Sequence, residues 1–117
     1  MFFRSSWEKY VCEQLDETEF VTKFELEPFC IKYINKNGMN RTSRLDFIIY
    51  FSSNEILILE VKPIPLQELQ QDKIKGQMKY CSENNIQYST FDLVADNLNE
   101  ILKTALEGRL YATTSID

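Results

Sequence analysis

Three charged residues, Asp46, Glu60 and Lys62, lie within an otherwise apolar part of the chain. The segments around them, 44–51 and 55–63, predict two β-strands joined by a polar turn at 52–54. Because side chains alternate between the faces of a strand, Glu60 and Lys62 share a face. A three-residue loop also places Asp46 directly opposite Glu60 on that face. Two facing carboxylates repel each other and require a cation or a shared proton.

A divalent cation with oxygen ligands is the natural partner for such a pair. Mg²⁺ typically binds one or two carboxylates and completes its shell with phosphate oxygens and water. Lys62, one pleat beyond Glu60, could hold or deprotonate a water molecule beside that ion. The alternative is an ordinary strand pair whose ends carry solvated charges, because short motifs of this kind also occur by chance.

Composition limits the class of protein. The chain of 117 residues, with 44% hydrophobic and 26% charged residues, predicts a single globular domain over 1–117. It has no apolar run of membrane length and no signal-peptide pattern, so we expect an intracellular, cytoplasmic protein. Its three cysteines form no CxxC pair, which indicates a reducing environment and argues against a zinc site. The absence of histidine excludes Ser-His and Cys-His nucleophile systems.

The predicted order of elements is helix, several strands, helix, strand, helix. This order indicates a mixed central β-sheet flanked by helices, in the α/β or α+β class. The expected segments begin with a helix from Ser5 or Ser6 to about Asp16, followed by strands at 20–27 and 29–34. A turn at 35–38 and then residues 39–43 lead into the strand of Asp46. A helix at 66–84, a strand at 86–94 and a last helix, capped by Asp96 or Asn97 and ended by Gly108, follow. Residues 112–117 are expected to be a frayed tail.

Other charged residues have both a structural and a functional interpretation. Glu8 either completes a capping box with Ser5 or supplies a third acidic group near Asp46 and Glu60. The basic residues either form solvated edges and faces or receive phosphate groups near the site. These candidates for DNA binding are Arg4, Arg41, Arg44, Lys73, Lys75 and Lys79. The net charge of −5 argues against a simple nucleic-acid-binding protein, unless the acidic excess belongs to a metal site or a partner supplies positive charge.

The spacing of these motifs resembles that of a known superfamily. A helix carrying a Glu, then an Asp, then Glu-Val-Lys on the next strand is similar to the PD-(D/E)XK nucleases, although Leu45 stands where a Pro often precedes the Asp. Within that superfamily, the similarity extends further to the small head-completion nucleases of tailed phages, and the TnsA-type endonucleases of transposons are a related match. The segments that carry it are 3–9, 45–47, 59–63 and 80–88.

The resemblance implies a restriction-endonuclease-like fold and a DNA substrate. It implies that Glu8, Asp46 and Glu60, with the Val61 carbonyl, bind one or two Mg²⁺ or Mn²⁺ ions. Lys62 would orient the attacking water, and Gln77 would assist from the following helix. In-line attack would leave 5′-phosphate and 3′-hydroxyl ends.

Three functions come into consideration, and a metal-dependent phosphatase-like enzyme on small substrates is disfavoured because no segment reads as a Gly-rich phosphate loop. Two functions of different classes remain. The first is a Mg²⁺-dependent DNA endonuclease, acting in phage head completion, in transposon-like end processing or on branched DNA, with a virion, packaging or transposition protein as partner. The second is a catalytically silent virion-assembly or DNA-binding module that retains the nuclease fold. A protein that needs only the fold has no physical reason to keep a repulsive carboxylate pair, which favours the enzyme.

Overall fold

The computed structural model describes residues 6–111. Within that range the chain forms four helices and six strands. In chain order they are α1 (Ser6–Glu17), β1 (Val21–Leu26), β2 (Cys30–Ile34), β3 (Asn40–Arg44), β4 (Phe47–Phe51), β5 (Ile56–Val61), α2 (Ile64–Leu69), α3 (Gln71–Glu83), β6 (Gln87–Phe91) and α4 (Leu98–Leu106). Arg4, the Ser5 cap and the tail at 112–117 lie outside the described residues.

The hairpin of β4 and β5 lies at the centre of a four-stranded sheet with the order β1-β4-β5-β6. β4 pairs antiparallel with both β1 and β5, whereas β5 and β6 are parallel, so the sheet is mixed. The parallel pair requires a crossover, and α2 and α3 provide it. The predicted mixed α/β fold is therefore confirmed.

Both faces of the central hairpin are covered. On one face, alternate strand residues pack against α1 and α4, as the core cluster of Val11, Leu15, Phe47, Ile49, Leu57, Leu59, Leu98 and Leu102 shows. The intervening strand residues pack on the other face against β2 and α3, together with Tyr88 of the neighbouring β6, in the cluster of Ile31, Leu45, Ile48, Ile58, Cys81 and Tyr88. The even-numbered positions of β4 and β5 therefore point towards α3, which is the face that Asp46 and Glu60 share.

The β2–β3 hairpin forms a second, two-stranded sheet. Its turn is the predicted Asn-Gly type: Gly38 has a positive φ of 77°, and the Asn35 side chain accepts hydrogen bonds from the backbone N–H groups of Asn37 and Met39. Residues 39–43 were expected only to lead into the strand of Asp46. Instead, β3 is a strand in its own right, because its backbone pairs with β2 from Ile34↔Asn40 to Cys30↔Arg44.

Several element boundaries differ from the sequence prediction. The strands expected at 44–51 and 55–63 are shorter, so Asp46 lies just before β4 and Lys62 just after β5. The expected helix at 66–84 begins two residues earlier and is divided at Gln70, whose φ of −118° and ψ of 36° are not helical. The expected strand at 86–94 ends at Phe91, because the Asp92 side chain accepts hydrogen bonds from the N–H groups of Val94 and Ala95 and turns the chain. The same carboxylate accepts the N–H of Ile64 at 2.9 Å and so fixes the start of α2.

The last helix follows the prediction. The Asn97 side chain accepts the N–H of Glu100 at 3.2 Å, which makes Asn97, rather than Asp96, the N-cap. Gly108, with a φ of 73°, follows the last turn, and its N–H donates to Ala105. Across residues 6–111, every helix is too short or too polar to span a membrane.

A close approach between α3 and β2 depends on Gly76. A Cβ atom at this position would lie 2.4 Å from Cβ and 2.8 Å from Cγ of Tyr33. Contacts this short do not occur between real side chains, and Tyr33 cannot move its own Cβ without moving β2. The glycine therefore sets the distance between α3 and the β2–β3 hairpin, and with it the position of every α3 side chain that faces the sheet.

We expect Gly76→Ala to destabilise the protein by about 1–3 kcal/mol through overpacking against Tyr33. An ordinary exposed Gly→Ala change within a helix stabilises by about 1 kcal/mol, so the sign of the effect is diagnostic. Urea unfolding measures it, with Lys75→Ala on the exposed side of the same helix as the control, expected within about 0.5 kcal/mol of wild type. An increase in stability for Gly76→Ala would contradict the packing described.

Candidate functional site

The predicted register brings Asp46 and Glu60 together. Phe47 pairs with Leu59 and Ile48 with Ile58, so continuing the register by one residue places Asp46 opposite Glu60. The 52–54 loop is closed by the N–H of Phe51 donating to Glu55 at 3.0 Å. Asp46 immediately precedes β4, and Glu60 is the last buried residue of β5. The odd-length loop therefore keeps both carboxylates on the α3 face, as predicted.

The two carboxylates have different hydrogen-bond partners. Asp46, 6% exposed, reaches across to β5, where its Oδ2 accepts the backbone N–H of Val61 at 2.9 Å. Glu60 is fully buried, and its Oε1 accepts a hydrogen bond from the Gln77 side chain at 3.3 Å. Turning each carboxylate to a separate donor reduces the repulsion expected of a facing pair.

The second oxygen of Glu60 is the most unusual atom of the site. Within the described part of the chain, Glu60 Oε2 is buried and accepts no hydrogen bond. Its neighbours are the ammonium groups of Lys73, at 3.4 Å, and Lys62, at 3.7 Å. A buried carboxylate costs several kcal/mol unless charges and donors compensate it, so these two lysines are what makes the burial tolerable. At 3.4 and 3.7 Å, the two ammonium groups form ion pairs with Oε2 but are not at the short distance of a strong hydrogen bond. The lone pairs of Oε2 can therefore accept a closer ligand.

A buried polar network holds Glu60 from behind. Gln77 of α3 is fully buried and also donates to Ser43 Oγ at 3.0 Å. Its carbonyl oxygen accepts a hydrogen bond from Tyr88 Oη at 2.5 Å. Burial, together with the nearby Glu60 charge, raises the pKa of Tyr88 above its ordinary value, so the phenol stays protonated and donates. Gln77 therefore positions Glu60 and does not reach solvent itself.

Lys62 is held at the mouth of the site by the segment that follows it. Its side chain is 15% exposed, and its Nζ donates to Gln70 Oε1 at 2.6 Å. Gln67 donates in turn to the Lys62 carbonyl at 2.8 Å. Burial, and then repulsion by the Lys73 ammonium, lower the pKa of Lys62, while Glu60 opposes the shift. The break between α2 and α3 thus has a local function, because it presents Gln70 to the lysine.

These groups surround an open cavity of about 370 Å³. Its lining includes Glu8, Asp46, Val61, Lys62 and Lys73, with residues 42–44 of β3 on another side. Glu60 lies just behind this lining, beside the two lysines. The cavity therefore collects side chains from α1, β3, β5, α3 and the residue before β4.

Glu8 lies at this cavity, in the first turn of α1, and is 5% exposed. A carboxylate that only capped a helix would be expected at the surface, so its burial beside Asp46 favours the functional interpretation. The capping interpretation depends on Ser5, which lies outside the described residues.

The predicted basic residues divide into three groups. Lys73, expected only to bind DNA, lies inside the site against Glu60, and Arg44 lines the cavity while its guanidinium lies 3.7 Å from a carboxylate oxygen of Glu27. Lys75 and Lys79 line a separate groove between α3 and the β2–β3 hairpin. Arg41 is exposed on β3, outside the lining of both, and Arg4 lies outside the described residues.

Sequence reasoning missed Ser43 and Tyr88 as members of the site. Ser43 is the one buried residue of β3, at 4% exposure, in a strand that otherwise carries exposed polar side chains. Tyr88 falls in the predicted strand and in the 80–88 segment of the resemblance, neither of which gives it a role at the site. A buried serine in a polar strand has no periodic signal that distinguishes it, so Ser43 could not be found without the packing of α3.

The oxygen atoms that these residues offer decide whether the site fits a metal ion. Among residues 6–111, no three or more Asp, Glu or Cys side chains are close enough together to hold a metal ion. Mg²⁺, however, needs only one or two carboxylates, because water and phosphate oxygens complete its shell. Asp46 and Glu60 supply that number, and the unbonded Glu60 Oε2 is the type of oxygen it requires. The donor set therefore fits a Mg²⁺ or Mn²⁺ ion bound together with a phosphate group.

Comparisons with known proteins add no further assignment. No model of a known protein family matches this chain, and no curated protein sequence matches it. Membership of the PD-(D/E)XK superfamily therefore stays a prediction, carried by the motif residues and by the geometry around Glu60.

We expect Tyr88→Phe to destabilise the protein by about 1–3 kcal/mol, because it leaves the buried carbonyl of Gln77 without a donor. The change removes one oxygen atom and preserves the ring, so packing is little affected. Urea unfolding is the measurement, and Tyr10→Phe, at a partly exposed hydroxyl of α1, is the control. Equal stabilities for the two variants would contradict the network.

Proposed function

We propose that this protein is a metal-dependent endonuclease that hydrolyses phosphodiester bonds in DNA. The observation that supports this function best is the Glu60 carboxylate, which is fully buried and has one oxygen that no residue of 6–111 hydrogen-bonds. Next to it, Lys62 and Lys73 line an open cavity. A buried acidic pair next to accessible cations suits a substrate that is itself anionic and brings a cation with it.

In this proposal Asp46 and Glu60 would hold the ion directly, with the Val61 carbonyl as a further ligand, and Glu8 would contribute negative charge from the cavity wall. Bound Mg²⁺ or Mn²⁺ supplies positive charge that polarises the scissile phosphate and lowers the pKa of a water molecule. The backbone N–H of Val61 keeps Asp46 in place, and Gln77 does the same for Glu60. Glu60 thus keeps Oε2 for the ion while its Oε1 is fixed by the protein.

The cations have distinct tasks. Lys62, restrained by Gln70, orients the attacking water and stabilises the negative charge that develops on the phosphate. Arg44 and Lys73, on two other sides of the cavity, bind the non-bridging phosphate oxygens. The water oxygen bonds to phosphorus as the bond to the 3′ oxygen breaks, which leaves 5′-phosphate and 3′-hydroxyl ends.

DNA as substrate and phage head completion or transposon end processing as context come from the sequence resemblance. A protein partner in a virion, packaging or transposition complex belongs to the same proposal. Such a partner would also supply positive charge. The net charge of −5 on this chain repels a polyanion such as DNA and slows its approach.

One observation favours a second candidate, the catalytically silent module. Two lysines and Gln77 already compensate Glu60 without any metal ion. A protein that used this arrangement only as a charged core would gain nothing from Mg²⁺. The two candidates therefore differ in the response of the free energy of unfolding to divalent ions.

We expect wild-type protein to cut linear, supercoiled or branched DNA with Mg²⁺ or Mn²⁺, and Asp46→Asn to lose this activity by more than about 100-fold. Loss of even an outer hydrogen-bond partner of a metal ligand typically costs about 10–100-fold. Asparagine keeps an oxygen that accepts the Val61 N–H, so the fold should be preserved. Asp16→Asn, at an exposed position of α1, is the matched control.

Melting in the presence of Mg²⁺ separates the outcomes. An ion that binds only the folded state adds about 2.7 kcal/mol to its stability at 100 times the Kd. Wild type should show this rise in Tm, and Asp46→Asn should not. A rise without cutting means that the ion site is present and that the DNA substrate or partner is still lacking. If the protein shows neither cutting nor a rise in Tm, the result supports the catalytically silent module and contradicts the enzyme.

Glu8→Gln tests whether this residue belongs to the metal site. Glutamine serves equally well in a capping box, so α1 and the free energy of unfolding should be preserved. We expect weaker metal binding and slower cutting, because the change removes a negative charge from the wall of the cavity that would hold the ion. Titration of Mg²⁺ against cleavage rate measures the effect, and an unchanged titration would confine Glu8 to the helix end.

A further inference from the structure

A second groove lies between α3 and the β2–β3 hairpin. Its volume is about 640 Å³, and its walls are β2 with the following turn on one side and α3 on the other. It adjoins the candidate active site, because two elements line both. From α3, Lys73 lines the cavity and Lys75 lines the groove; from β3, Ser43 lines the cavity and Asn40 lines the groove.

The groove collects positive charge in an acidic protein. Four exposed lysines line it, from both walls: Lys32, Lys36, Lys75 and Lys79. None of the four ammonium groups lies in an ion pair with another residue of the described 6–111 range.

Two acidic residues share the groove lining with these lysines. The carboxylate of Asp72 is engaged by the backbone N–H of Lys36, at 2.9 Å, and Glu83 ends α3. In a chain with a net charge of −5, four lysines around one groove, without ion pairs among residues 6–111, favour an anionic ligand.

Aromatic side chains complete the lining. Tyr33, on the hairpin wall, packs against Gly76, and Tyr80 belongs to α3. The Tyr80 ring is held by Phe29, with ring centroids 5.7 Å apart. Both rings are thus fixed by packing and are partly exposed in the lining beside the lysines.

We propose that this groove binds a single-stranded segment of nucleic acid and leads it to the cavity of Asp46 and Glu60. Sequence-independent binding of single strands combines a positive groove along the backbone with aromatic rings on which bases stack, and this groove has both. Its volume of about 640 Å³ lies within the range of clefts for small ligands, about 300–1,000 Å³, which is room for nucleotides of one strand. The link to cleavage rests on the proposed nuclease function; the binding itself does not.

Fluorescence anisotropy with a labelled oligothymidine and with a duplex of equal length tests the proposal. Measurements use wild-type protein in EDTA, so that neither cutting nor a metal ion contributes. The test variant is Lys32→Ala/Lys79→Ala, which removes one cation from each wall. Lys23→Ala/Lys103→Ala, on β1 and α4, removes the same charge from exposed positions outside the groove and is the control.

We expect tighter binding of the single strand than of the duplex. For the single strand, the slope of log K against log salt should fall by about 1.4 in the groove variant, at about 0.7 per lysine, and remain unchanged in the control. Equal affinity for duplex, equal slopes in the two variants, or no binding of the strand would overturn the proposal.

The binding result and the cleavage result are independent of each other. Strand binding that depends on the groove, without any metal-dependent cutting, would retain the groove and reject the nuclease. Cutting that the groove variant performs as well as wild type, with no groove-dependent binding, would retain the nuclease and reject the groove.

Discussion

The burial of the Glu60 carboxylate is the constraint on which the site depends. A charge with no exposure to solvent needs compensation, and Lys62 alone, at 3.7 Å, is too distant to provide a hydrogen bond. The remaining compensation comes from α3, through Lys73 and Gln77. The helix must therefore pack close to the end of β5, and Gly76 permits that distance on the side facing the hairpin.

The polar network behind Glu60 joins side chains that come from separate strands and from α3. Through Gln77, Glu60 is joined to Ser43 of β3 and to Tyr88 of β6, so the position of one carboxylate depends on three strands and a helix. Fully satisfied buried networks of this kind specify one arrangement, because every broken contact leaves a buried polar group unpaired. The oxygen left without a hydrogen bond is then an exception that is fixed in place, as a preorganised ligand must be.

Charge is distributed unevenly over this acidic chain. The lysines of α3 and of the β2–β3 hairpin lie at the cavity and the adjoining groove, whereas the buried acidic residues Glu8, Asp46 and Glu60 lie at the cavity alone. A polyanion is repelled by the chain as a whole and attracted locally, which favours binding in one orientation. The net charge by itself argued against a nucleic-acid-binding protein, because a net charge does not show how the charged residues are distributed over the surface.

The sequence alone determined the central hairpin, its register and the facing pair of Asp46 and Glu60, because alternation and loop length are local properties. It also determined the Asn-Gly turn and the ends of α4. Only the tertiary structure decided that β3 is a strand of its own, that the second helix breaks at Gln70, and that Lys73 belongs to the site. These depend on partners distant in the chain: the hydrogen bond from Gln77 to Ser43 spans 34 residues. Periodicity carries no information about which distant surface a helix will face, since that choice is made by packing.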